Sequence, residues 1–137
     1  IEAGVEMRFE QSAYLWATAN AGGTIGSIQI KGTSLLPVKL TGTNQIAGFW
    51  KGVNIGSRSV LNNFTYTTIE YAGSSAWFTK DNGANIHVGQ NASLTISNST
   101  ISNGKGVGIL VGPKGSLSNA NNTFSSLGGM DVVNYTF

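Results

Sequence analysis

Apolar and polar residues alternate in short stretches along this chain, and Gly, Asn and Pro interrupt the stretches. The alternation is clear at residues 5–9, 14–17, 28–30 and 38–40. A period of two places the apolar side chains on one face of a β-strand, whereas a helix repeats them every three or four residues. The pattern therefore predicts short strands separated by tight turns.

The same pattern recurs with a spacing of 23 residues in the second half of the chain. Residues 85–107 align with residues 108–130 without a gap, and nine positions are identical. The identical pairs are Ile86/Ile109, Val88/Val111, Gly89/Gly112, Ser93/Ser116, Leu94/Leu117, Asn98/Asn121, Thr100/Thr123, Ser102/Ser125 and Gly106/Gly129. One unit of this size cannot bury its own apolar face, so successive units are expected to stack.

A third copy of the unit lies upstream, at residues 55–69, when one extra residue is allowed after Leu61. In this alignment the matched apolar pairs are Ile55/Val88, Leu61/Leu94, Phe64/Ile96 and Ile69/Ile101. Each unit holds three short strands, which predicts an all-β, right-handed parallel β-helix, a single-stranded solenoid of about five to six turns. We predict one domain over residues 1–137, with an inserted lateral loop at residues 74–83.

The predicted strands lie in runs with a recognisable composition. The runs are GVEMRF, AYLWA, SIQIKGT, PVKLTG, FWKGVNIG, LNNFTYTTIEYAG and SLTISNSTISNGKGVGI. They resemble the right-handed β-helix repeat region of bacterial secreted and surface proteins in the pectate-lyase-like superfamily, most specifically at residues 50–53 and 68–73. The resemblance covers nearly the whole chain. It implies the fold and an extracellular or cell-surface location, and it leaves the activity open because superfamily members include lyases, hydrolases and proteins without established activity.

Composition removes several classes of function. Charged residues make up only 10% of the chain, and its eight cations are spread singly, so no basic stripe favours nucleic-acid binding. The absence of cysteine excludes disulfides and thiol chemistry. No apolar run approaches the roughly 20 residues of a membrane-spanning helix. We expect no cofactor, and the chain opens at Ile1 like a piece of a longer protein.

Acidic residues offer few candidates for catalysis. The resemblance implies calcium held by several carboxylates in a lyase or paired aspartates in a hydrolase, but the two aspartates here are about fifty positions apart. Glu70 is the strongest acid-base candidate, with Lys51 and His87 aligned on the same outer face and Arg58 as a further cation. Because outward charges usually serve solvation, we predict no catalytic centre and no metal site. The alternative is a fragment of a polysaccharide lyase or glycoside hydrolase acting on an acidic glycan.

Aromatic residues concentrate between positions 50 and 78, and their flat rings with polar edges suit contact with sugar rings. The predicted ligand contacts are Trp50, Tyr66, Tyr71, Trp77 and Lys80. The leading hypothesis is a non-enzymatic extracellular module that binds polysaccharide or another surface component, or acts as a scaffold. A third hypothesis is a purely structural segment that self-associates through its ends, because open sheet edges can pair.

Overall fold

The computed structural model describes residues 1–19, 22–23, 25–77 and 83–136. Within these residues the chain forms strands and turns and no helix. The strands are β1 (Glu6–Phe9), β2 (Tyr14–Ala17), β3 (Gln29–Lys31), β4 (Val38–Gly42), β5 (Gly52–Ile55), β6 (Asn63–Thr65), β7 (Thr67–Glu70), β8 (Ala84–Val88), β9 (Ser93–Ser97), β10 (Thr100–Ser102), β11 (Val107–Val111), β12 (Ser116–Ala120), β13 (Thr123–Ser125) and β14 (Val132–Asn134).

Three sheets contain these strands, and each sheet takes every third strand along the chain. The first sheet has the order β1-β4-β7-β10-β13, the second β14-β11-β8-β5-β2, and the third β12-β9-β6-β3. Every pairing between these strands is parallel. The all-β class and the parallel pairing predicted from the sequence are therefore confirmed. We call each successive set of three strands, beginning with β1–β3, a round.

The strand register confirms the spacing of 23 residues between the last repeats. The pairs separated by that distance include Ile86/Ile109, Leu94/Leu117 and Ile101/Phe124. The upstream copy pairs with the same strands at Ile55/Val88, Phe64/Ile96 and Ile69/Ile101. Because paired residues of parallel strands lie in adjacent strands about 4.8 Å apart, equivalent apolar side chains occupy equivalent places in successive rounds.

The predicted match of Leu61 with Leu94 is wrong. The register of β6 with β9 brings Asn62 into line with Leu94. Asn62 is 1% exposed, whereas Leu61 is 55% exposed. The buried amide makes hydrogen bonds with the backbone of Ser57, Ser93 and Ile28 at 3.2, 3.1 and 3.0 Å. These bonds satisfy polar groups that would otherwise be buried without partners, so an asparagine occupies a leucine position.

One apolar cluster receives alternate side chains from all three sheets. Its members include Leu40, Ile69 and Ile101 from the first sheet, Ile55, Ile86 and Ile109 from the second, and Ile30, Phe64 and Ile96 from the third. Each fully buried side chain of this size contributes about 1.5–3 kcal/mol relative to exposure. The intervening residues of each strand face away from this cluster, and they form the outer surfaces on which a ligand could bind.

Left-handed residues recur at equivalent bends of successive rounds. Between the third and first sheets the residues are Tyr66, Asn98 and Asn121, with φ of 44°, 51° and 55°. After the first sheet they are Tyr71, Asn103 and Ser126, with φ of 62°, 50° and 52°. Asparagine tolerates this conformation better than a bulky residue does. Tyr66 and Tyr71 are therefore the bulky exceptions among the residues at these equivalent bends.

The third round is longer than the fourth. Thr68 pairs with Thr100 across 32 residues, whereas Thr100 pairs with Thr123 across 23. The extra length falls between β7 and β8, where the sequence predicts the inserted loop. Residues 78–82 of that loop lie outside the described residues.

Candidate ligand-binding site

The outer face of the second sheet carries two exposed aromatic side chains. In β2, Ala17 is buried, whereas Tyr14 and Trp16 each remain 52% exposed. The register pairs Trp16 with Asn54 of β5, and Asn54 with His87 of β8. Because paired residues in parallel strands share a face, Trp16, Asn54 and His87 form one row across three rounds.

Trp77, in the segment between β7 and β8, packs against His87 at one end of this row. Its indole N–H donates a hydrogen bond to the Ala84 carbonyl at 3.3 Å. Its ring stacks on His87 with centroids 5.5 Å apart, and it makes an edge-to-face contact with Tyr14, with centroids 6.4 Å apart and ring planes at 87°. Tyr14 also contacts Trp16 at 6.1 Å and 61°. The four rings therefore form one connected group, and His87 is buried within it.

A pocket of about 220 Å³ opens beside these rings, and it is lined by Tyr14, Trp16, Lys51, Asn54 and Trp77. We call it the aromatic pocket. Lys51 Nζ lies 4.5 Å from the centroid of the Trp77 ring, within the range of a cation–π contact. The amide of Asn54 is held by His87, whose Nδ1 lies 3.1 Å from Asn54 Oδ1. The described lining of the pocket thus combines aromatic rings, the amide of Asn54 and the ammonium group of Lys51.

Trp50 is a core residue, which corrects its predicted role as a surface contact. It is fully buried. Its ring stacks on Phe9 with centroids 4.2 Å apart and an interplanar angle of 4°. The indole N–H donates to the Glu70 carbonyl at 2.8 Å. Both the ring and its polar edge are therefore satisfied inside the protein, and neither is available to a ligand.

The other predicted contacts separate into three groups. Trp77 lies in the aromatic pocket. Tyr66 and Tyr71 are half-buried at the left-handed bends on either side of β7, and Tyr71 packs against the core. Neither tyrosine is among the described residues that line the pocket. Lys80 lies outside the described residues.

Glu70 belongs to the first sheet, away from its predicted neighbours. Its carboxylate is mostly buried and accepts hydrogen bonds from Lys39 Nζ at 2.7 Å and Thr41 Oγ1 at 3.0 Å. The hydrogen bond to Glu70 raises the pKa of Lys39 above its ordinary value. Lys51 and His87 instead contact Trp77 beside the second sheet. The prediction that they share an outer face with Glu70 is wrong, because Glu70 and His87 occupy consecutive strands of different sheets.

Arg58 lines a second pocket, also of about 220 Å³. The other residues of that pocket are Ala19, Gly23, Ile25, Gly56, Gln90 and Asn91. Glu70, Lys51 and Arg58, the three catalytic candidates, therefore have different neighbours. Within the described ranges, no group of three or more His, Asp or Glu side chains could hold a metal ion.

Sequence reasoning missed Tyr14, Trp16 and Asn54. The signal for the first two was the alternation in β2, because an inward Ala17 requires outward side chains at positions 14 and 16. Asn54 has no comparable signal, since its place beside Trp16 depends on the register between β2 and β5.

Comparisons with protein-family models, curated proteins and solved structures find no match for this chain. In the part of the chain that the structure describes, no helix is long and apolar enough to cross a membrane. The functional interpretation therefore depends on the geometry of the aromatic pocket.

Proposed function

We propose that this chain is a non-enzymatic extracellular module that binds a polysaccharide or another cell-surface component in the aromatic pocket. The observation that carries the proposal is the convergence of Tyr14, Trp16 and Trp77 on one open pocket at the outer face of the second sheet. We further propose that the three sheets wind as a right-handed parallel β-helix of the pectate-lyase-like type.

The order of the strands supports the β-helix. The chain visits the first, second and third sheets in that order and begins the next round at the first sheet again. Parallel strands joined in this way are almost always connected with right-handed crossovers. A fold of this kind holds its outer face rigidly, which suits it to presenting side chains to an extended ligand.

The chemistry of the pocket supports a carbohydrate ligand. Single exposed apolar side chains are common on protein surfaces, but a contiguous exposed group of them often marks a binding site. The faces of the aromatic rings can pack on the apolar face of a sugar, while Asn54 and Lys51 can bond its hydroxyl groups. Ligand pockets usually measure about 300–1,000 Å³. This smaller pocket suits one residue of a longer polymer.

Binding to immobilised polysaccharides would test the proposal. Trp16→Ala and Trp77→Ala should each weaken binding to the recognised glycan at least tenfold, about 1.4 kcal/mol. Leu35→Ala is a matched control, because Leu35 is 89% exposed and lies between β3 and β4 rather than at the pocket. Unchanged binding in both tryptophan variants would contradict the proposal. Turnover of an acidic glycan that disappears in Glu70→Gln would instead support the lyase or hydrolase alternative.

A further inference from the structure

We infer that the aromatic pocket accepts an organic ammonium group of its ligand in the place that the Lys51 ammonium now holds. The inference depends on the proposed binding role of this pocket, and it specifies the charge of the ligand group that the pocket recognises. An amino sugar in a polysaccharide and an alkylated amine share this chemistry, and the experiment below separates them.

The first observation is that a cation already lies against the rings. Lys51 Nζ is 4.5 Å from the Trp77 centroid. In the described part of the chain, no carboxylate forms an ion pair with Lys51. The ring of Trp77 is therefore the partner that the structure gives this ammonium group. Trp provides the most favourable face for a cation among the aromatic side chains.

The second observation is the orientation of the rings. Tyr14 meets Trp77 at 87° and Trp16 at 61°. These rings lie in different planes, and all three line the aromatic pocket. Inclined aromatic rings are the usual protein site for alkylated ammonium groups. A pocket of about 220 Å³ is also matched to a compact head group.

The polar groups of the pocket determine how a charged ligand competes with Lys51. Asn54 offers an amide, whose oxygen lies 3.1 Å from His87 Nδ1, and His87 stacks on Trp77. Among the described residues that line the pocket, Lys51 is the charged one. An incoming cation must therefore displace Lys51 from Trp77, and an incoming anion would instead bind the Lys51 ammonium. The two ligand charges predict opposite effects of removing Lys51.

Titrations of the full chain, followed by tryptophan fluorescence, would test the inference. The probes are tetramethylammonium, glucosamine, glucose and glucuronate. Lys51→Met removes the charge and keeps a long side chain. Lys114→Met is the matched control, because Lys114 is exposed in the turn between β11 and β12. We expect tetramethylammonium, glucosamine or both to bind Lys51→Met at least tenfold more tightly than the unchanged chain, and Lys114→Met to behave like the unchanged chain.

The remaining outcomes are distinct. Stronger binding of tetramethylammonium alone identifies an alkylated amine, and stronger binding of glucosamine alone identifies an amino sugar. Glucuronate binding that is lost in Lys51→Met, or cation binding that Lys51→Met leaves unchanged, overturns the inference. If glucose and glucosamine bind equally and Lys51→Met does not strengthen tetramethylammonium binding, the inference fails while the carbohydrate proposal stands. If the ammonium probe binds and no glycan does, the carbohydrate proposal fails instead. Adding Trp77→Leu to Lys51→Met should abolish the gain, because it removes the ring on which the ammonium lies, with circular dichroism confirming that the double variant is folded.

Discussion

Replacing Trp50 with Phe should destabilise the protein strongly, although Trp50 was a candidate for ligand contact on sequence grounds. Phenylalanine can keep the stacked contact with Phe9, whose ring lies 4.2 Å away. It cannot replace the hydrogen bond that the indole N–H donates to the Glu70 carbonyl at 2.8 Å. The substitution therefore removes the hydrogen bond made by the polar edge of Trp50 and keeps the stacking contact made by its apolar face.

The magnitude has two parts. A buried carbonyl left without its donor costs about 1–3 kcal/mol. The smaller ring also leaves unfilled volume at a fully buried position, which costs about 1 kcal/mol when one or two buried groups are lost. We expect the free energy of unfolding to fall by about 2–4 kcal/mol. With a urea dependence of about 2 kcal/mol per molar, the middle of the usual range for small proteins, the unfolding midpoint should move by about 1–2 M.

Urea unfolding followed by far-ultraviolet circular dichroism measures this change. Trp16→Phe is the matched control, because Trp16 is 52% exposed and surface substitutions usually change stability by less than about 0.5 kcal/mol. Trp50→Phe should retain ligand binding as long as the variant is folded, although its stability is lower. If the two variants lost equal stability, or if Trp50→Phe were neutral, the assignment of Trp50 to the core would be refuted.

Three further predictions concern stability. Asn62→Leu should lower the free energy of unfolding by about 2–4 kcal/mol, although it restores the leucine of the repeat, because it removes four side-chain hydrogen bonds. Tyr66→Asn should raise the free energy of unfolding by about 0.5–1 kcal/mol, because Tyr66 has a φ of 44° where the later rounds have asparagine. In Lys39→Met, the free energy of unfolding should fall less at alkaline pH than it does in the unchanged chain. The hydrogen bond to Glu70 raises the pKa of Lys39, so its stabilisation is complete below the ordinary lysine value near 10.4 and is lost as pH rises through the raised value.

Each of these predictions has a control variant or an outcome that would contradict it. Asn63→Leu changes the neighbouring exposed residue of β6 and should leave the urea midpoint nearly unchanged; an equal loss at both positions would contradict the role given to Asn62. A lower melting temperature in Tyr66→Asn would show that the tyrosine side chain contributes more than its backbone costs. Melting curves between pH 9 and pH 12 that are parallel in Lys39→Met and the unchanged chain would contradict the contribution of the Lys39–Glu70 pair.

The repeat could be read from the sequence where successive rounds have equal length. Ile86 and Ile109, or Leu94 and Leu117, are identical residues at a constant spacing, and the strands pair them as expected. The alignment failed at Leu61 because an apolar residue was assumed to face the core. Asn62 takes that place through hydrogen bonds to three backbone segments, and no hydrophobic pattern reports such bonds.

The candidate site was harder to predict because it depends on contacts between rounds. Alternation in β2 indicates that Trp16 faces outward, but it does not indicate what lies beside it. Trp16, Asn54 and Trp77 are 38 and 23 positions apart and share no motif. Their proximity follows from the pairing of β2 with β5 and from the position of Trp77 over β8. Glu70 was misplaced for the same reason, since residue order alone does not separate neighbouring sheets.

The aromatic pocket draws its side chains from three consecutive rounds. Tyr14 and Trp16 belong to the first round, Lys51 and Asn54 to the second, and Trp77 to the third. A ligand that contacts all of these side chains would link three rounds, each of which otherwise contacts only the adjacent rounds. Occupancy would then suppress local opening between those layers, and amide hydrogen exchange in β2, β5 and β8 would slow together.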